Sequence, residues 1–333
     1  MVAFRRLALA ATALALVVVV LGAWVRLSDA GLGCPDWPGC YGRLTAPESA
    51  SALESAQAAW PERPPEGDKA HREMLHRYLA AALGLLVLAL AVLALRNRRE
   101  PAQPVVLPLG LLALVILQAL LGMWTVTLLL KPVIVVAHLL GGMATLALLS
   151  WLYLSTGRAA GTPATAREPL AGAALAGLAV HVVQIALGGW TSANYAALAC
   201  PDFPACQGEW WPSADFGEGF VLWRGLGVDY EGGVLDHPAR VAIHLTHRIG
   251  AVITTLVLGA VGLAAALRGG ARSLRLAGAA LVGLLAAQWL IAVTMLAHGL
   301  PLALAAAHNA VAALLLLTLV YLIHRTWRMR SPA

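Results

Sequence analysis

Charge is scarce in this sequence. Asp, Glu, Lys and Arg make up 12% of its 333 residues, against about 25% in a soluble domain. Hydrophobic residues make up 60%, and the mean hydropathy is +0.76. That shortage excludes a soluble globular protein. The net charge of +6 does not argue for nucleic acid, because the basic residues lie at the ends of apolar runs, where they orient a membrane protein. Cysteine is scarce too. The four present, Cys34, Cys40, Cys200 and Cys206, fall in two connections and leave the apolar runs without a thiolate ligand.

What the chain has is apolar runs long enough to span a bilayer. They lie at about 4–24, 73–95, 105–127, 133–155, 169–191, 239–267, 274–297 and 301–324. Arg5 and Arg6, Arg96, Arg98 and Arg99, Arg158 and Arg167, Arg268, Arg272 and Arg275, and Arg325, Arg328 and Arg330 fall in alternate connections. The positive-inside rule places these in the cytoplasm with both termini. The two long connections, 25–72 and 192–238, are acidic and fall outside. Trp24, Trp124 and Trp190 sit at the outer ends of their runs, as an interfacial aromatic belt requires.

The sequence repeats. Residues 21–42, LGAWVRLSDAGLGCPDWPGCYG, align without a gap on 187–208, LGGWTSANYAALACPDFPACQG, with eleven identities. The first run therefore matches the fifth and is kept as a span, although Arg5 and Arg6 before it also fit a signal peptide. Further on, Glu73 and His76 align with His244 and His247, Gln118 with Gln288, and His138 with His308. Each half has four spans and so returns to the side it began on, which gives parallel repeats. The expected fold is an all-α polytopic membrane protein of eight transmembrane helices in two parallel-repeated four-helix bundles. Residues 1–160 form one half and 161–333 the other.

His76 and His138 stand near the outer starts of two spans at one depth, to within about a turn. So do His247 and His308. Two imidazoles at one depth can clamp a planar metal cofactor from both faces, and haem iron takes axial imidazole readily. Zinc is the alternative, but neither half offers a Cys or second carboxylate at that depth to complete a tetrahedral site. The other histidines read as solvated loop residues (His71, His237), helix-end residues (His298, His324) or a packing residue (His181).

The halves differ at one informative position. Glu73, near the outer edge and three residues before His76, corresponds to His244. It reads either as a helix-start acid favoured by the dipole or as a general base beside one haem only. Arg77 and Arg248 lie on the outer side, placed either to pair with haem propionates or to snorkel to the interface. Each cysteine pair closes a short loop holding two prolines in an oxidising compartment, so two local disulfides are expected. A structural lid is favoured over thiol exchange.

Taken together, Glu73-x-x-His76-Arg77, His138, His247-Arg248, His308 and the paired cysteines on eight spans resemble the haem A synthase family. The resemblance implies oxidation of a ring methyl of haem O to the formyl group of haem A for a terminal oxidase. It implies haem b iron on His247 and His308, with Arg248 beside it. It implies substrate haem O on His76 and His138, with Arg77 beside it, and Glu73 as the catalytic acid. The setting would be the cell inner membrane with the haem sites toward the periplasm. The partners would be the haem O-producing enzyme and oxidase assembly factors, with no nucleic acid; a homo-oligomer stays open. Two rival readings also stay open: a di-haem cytochrome b electron relay, and a membrane thiol oxidoreductase using the outer cysteines. Haem transfer without chemistry is a third.

Overall fold

In lipid the backbone must satisfy its own hydrogen bonds, so apolar runs of this length become helices. The computed structural model describes residues 2–157 and 168–327, with no strand among them. Ten helices follow in order: α1 (Val2–Leu27), α2 (Ala50–Ala59), α3 (Gly67–Arg96), α4 (Val106–Thr127), α5 (Pro132–Ser155), α6 (Glu168–Ala193), α7 (Phe216–Gly219), α8 (His237–Arg268), α9 (Arg272–Ala297) and α10 (Leu302–Trp327). All but α2 and α7 are long and apolar enough to cross a membrane. Arg158, Arg167, Arg328 and Arg330, used in the charge reading, lie outside the described residues, as does the boundary at 160.

The helices pack in two rings. In the first half α1 packs on α3 and α5, and α4 packs on the same two. In the second half α6 packs on α8 and α10, and α9 packs on the same two. So α3 stands across its ring from α5, and α8 across from α10. The rings meet where α10 packs on α1 and α5, and α5 on α6.

Packing follows the sequence pattern. Phe4, Ala8, Ala11, Ala15 and Val18 form one buried stripe on α1 at helical spacing. It joins Val87, Leu90 and Ala94 of α3, Leu146 and Leu149 of α5, and Ala313, Leu316 and Val320 of α10 in a single core. The small residues let the backbones approach closely, the main route to helix association without water. Large apolar residues on the other faces, such as Leu85, Ile116, Leu256 and Leu290, are exposed and meet lipid. Pro132 opens α5, where its missing N–H costs nothing.

The structure corrects three expectations. α3 begins at Gly67 rather than 73, because a polar first turn and a half (Asp68, Lys69, His71, Arg72) hides the start from a hydropathy reading. His71 and His237 therefore lie on helices and not in loops. Trp190 is buried and not part of a lipid-facing belt. Its indole N–H donates to the Gly219 carbonyl at 2.9 Å and its ring stacks on Phe220. A position at a helix end does not distinguish a tryptophan facing lipid from one under a folded-back loop.

Candidate functional site

His76 is on α3 and His138 on α5, so they face each other across the first ring. His247 on α8 and His308 on α10 do the same in the second. All four side chains are only partly buried. Yet Nδ1 of His76, His138 and His308 is sealed from water and has no partner. A buried imidazole nitrogen left unpaired is costly; His181 shares the feature, so what sets these histidines apart is their matched positions across the two rings.

Glycine makes room for the rings. A Cβ on Gly22 of α1 would stand 2.9 Å from His76 Cε1, and one on Gly188 of α6 would stand 3.2 Å from His247 Cε1. These glycines occupy the same place in the repeat. Gly122 backs His138 in the same way, at 3.4 Å. Gln184 adds a feature with no first-half counterpart. Its amide nitrogen lies 3.1 Å from both Nδ1 and the carbonyl of His247 and holds that ring. Gly22 and Gly188 were visible in the repeat identities, whereas Gln184 left no signal there.

The residues after each first histidine hold the cysteine loops. Both disulfides form, Cys34–Cys40 and Cys200–Cys206, and all four sulfur-bearing residues are buried. Glu73 accepts from the Cys34 N–H at 2.8 Å and from Arg77 at 2.5 Å. Arg77 also donates to the carbonyls of Asp36, Pro38 and Gly39. In the second half His244 takes the place of Glu73. Cys200 N lies 3.3 Å from its Nδ1 and Arg248 Nε lies 3.2 Å from its Nε2, and the neutral ring accepts at one of the two. Arg248 then donates to the carbonyls of Cys200, Asp202 and Ala205. The two arginines are thus committed to the loops.

Each loop also carries its own cap. Asp36 accepts from the N–H groups of Tyr41 (2.6 Å) and Gly42 (2.8 Å), and Asp202 from those of Gln207 (2.6 Å) and Gly208 (2.8 Å). The capped residues all have positive φ, and the aspartates satisfy their N–H groups. The Gly208 and Gln207 N–H groups hold the Asp202 carboxyl below its usual range. One further arrangement was not foreseen. Residues 223–231 of the second loop cross to the first half, where Lys131 is wholly buried. Its ammonium donates to the Gly225 carbonyl and sits 3.5 Å above the Trp223 ring. Tyr230 N–H donates to Leu129 O at 3.1 Å, and Arg63 pairs with Asp229 at 2.6 Å and Glu231 at 3.5 Å.

Among the described residues no three of His, Cys, Asp and Glu converge as a metal site. Each ring offers two protein donors, which suits a metal carried in a macrocycle that supplies the rest. Fold and site together define a class: multi-pass helical membrane proteins with paired histidines set across each of two helix rings. Residues 5–320 match the family described as cytochrome oxidase assembly protein, and the chain belongs to that family. It is 46% identical to a heme A synthase of Shewanella oneidensis over 95% of this chain and 94% of that one. It is 31% identical to a heme A synthase of Caulobacter vibrioides over 96% and 94%. A heme A synthase of Rhizorhabdus wittichii is 27% identical over 92% and 89%.

Proposed function

We propose that this chain is a haem A synthase, an oxidoreductase that converts a ring methyl of haem O to the formyl group of haem A. The observation that carries the reading is the two matched histidine pairs across the helix rings, in a chain so similar to proteins of that name. In this reading residues 1–160 form the substrate half and 161–333 the haem b half, as parallel repeats. The loop end of the helices faces outward, and both termini are cytoplasmic. The haem O-producing enzyme and the oxidase assembly machinery are the partners.

His247 and His308 fit haem b. Their rings face across α8 and α10, His308 Nδ1 lacks a partner, and Gln184 steadies His247. Bound there, haem b would supply one-electron redox chemistry. His76 and His138 hold the substrate haem and set its reacting edge relative to the helices. Glu73 lies one turn toward the loop end from His76. Cys34 and Arg77 each occupy one lone pair of its oxygens. Held in this way, its carboxylate is the group that takes up a proton beside the first-half haem. The second half has His244 there, which fits chemistry in one half only. The burial of both disulfides argues against exchange with an external thiol, which needs access to sulfur.

The test is the identity of the bound haem. Haem is extracted from the purified protein, separated by chromatography and identified by mass. Haem b together with haem O or haem A is the expected result. Two haem b per chain, unchanged when haem O is supplied, would sink the synthase reading in favour of an electron relay.

A further inference from the structure

Arg77 and Arg248 are the cations next to the proposed iron ligands, but the structure gives them to the loop carbonyls. Cations nearer the loop end are then further candidates to meet the carboxylates at the rim of a porphyrin. Lys69 precedes His76 by the same interval as Arg240 precedes His247. Seven residues are two helical turns, about 10 Å, on nearly the same helix face. Each cation thus stands above its histidine toward the loop end, at repeat-matched positions.

Their surroundings differ. Arg240 makes no ion pair among the described residues, and its Nε is sealed from water without a partner. A sealed, unpaired guanidinium nitrogen is costly. Lys69 is paired with Glu66 at 2.9 Å, and Glu66 is mostly exposed. Lys69 and Glu66 line a cavity of about 500 Å³ together with Arg63, Glu62, Asp229 and Glu231.

We infer that Lys69 and Arg240 are the porphyrin-carboxylate partners of the two sites, Arg240 for the resident haem and Lys69 for the one that comes and goes. The inference rests on the haem assignment above. A resident cofactor never leaves its cation exposed, so Arg240 needs no protein counter-ion. A transient substrate does, and Glu66 covers Lys69 between turnovers. The exposed Lys69–Glu66 pair is weak, so a carboxylate of the incoming substrate displaces Glu66 at little cost.

The test compares Arg240→Met, Arg240→Lys and Lys69→Met in the full-length protein. Haem content per chain and the midpoint potential of haem b are measured beside activity. Arg240→Met should lose haem b affinity roughly tenfold, equivalent to about 1.4 kcal/mol. It should also lower the potential, since a cation near the carboxylates favours the reduced haem. Arg240→Lys should restore most of both. Lys69→Met should leave haem b content and potential at wild-type values and weaken binding of added haem O by a similar factor. Haem O with both carboxylates esterified should bind wild type as poorly as haem O binds Lys69→Met, and that variant should not distinguish the two. Wild-type haem content and potential in Arg240→Met, with losses in Arg248→Met instead, would overturn the inference. A wild-type protein with no haem would instead remove the haem reading beneath it.

Discussion

Glu73 holds the cysteine loop and, in the proposed function, takes up a proton, and its counterpart in the second half shows how to separate the two. Oε2 accepts from the Cys34 N–H of the loop and Oε1 from Arg77, which holds the loop carbonyls, and His244 stands in the same place between Cys200 and Arg248. Glu73→Ala breaks a buried pair with Arg77, so it should cost about 3–5 kcal/mol and confuse folding with chemistry. Glu73→His copies the second half. It should keep the thermal stability of wild type and lose formyl-haem production by roughly 10²-fold or more, the usual worth of a general base. Retained synthase activity in Glu73→His would remove the carboxylate from the mechanism. Gly22 offers a second residue-scale test. A methyl there meets His76 Cε1 at 2.9 Å, and overpacking of this kind costs about 1–3 kcal/mol. Gly22→Ala should therefore weaken binding of the first-half haem, read as haem bound per chain. Gly188→Ala, with 3.2 Å available, should disturb the second site less.

Among the elements, the eight long helices were legible because each is an apolar run and lipid permits little else. The histidine positions were legible because the repeat displays them twice. The loops were not. Their order comes from contacts between segments far apart in the chain, such as Arg77 with Pro38 and Lys131 with Gly225, and polar residues carry no periodic signal of such pairing. The short helices α2 and α7 were hidden for the same reason. The crossing segment 223–231 illustrates the point. Nothing in its composition says that it lies over the first half, but Lys131 and Leu129 hold it there. Lys131→Ala removes a hydrogen bond to Gly225 and the cation–π contact with Trp223, the latter worth about 2 kcal/mol when desolvated. Hydrogen exchange at 223–231 should quicken by one to two orders of magnitude, about 1.4 kcal/mol per factor of ten. Exchange in 200–209 should stay at its wild-type rate, since that loop is held by Arg248. An unchanged rate at 223–231 would mean that the Tyr230 and Arg63 contacts suffice.

At the scale of the whole molecule, the repeat suggests two separable halves, while the packing joins them. Ala313, Leu316 and Val320 of α10 belong to the same core as Phe4, Ala8 and Ala11 of α1. At the loop end Arg26 donates to the Ser192 carbonyl at 2.6 Å and lies 4.3 Å from the Tyr195 ring centroid. His308 is on α10, so the helix that carries one proposed haem b ligand takes part of its packing from the first half. Lipid can cover the apolar side chains thus exposed, but it cannot supply the shape that fixes the pitch of α10, since helix association in membranes depends on packing. Residues 161–333 expressed alone should therefore reach the membrane yet hold haem b poorly, and co-expression with 1–160 should restore it. The measurement is haem b per chain after purification through a tag on the second half. Full haem b retention by 161–333 alone would show that the ring of α6, α8, α9 and α10 sets its own histidine pair. The contacts of α10 with α1 and α5 would then serve to bring the two sites together and not to build either one.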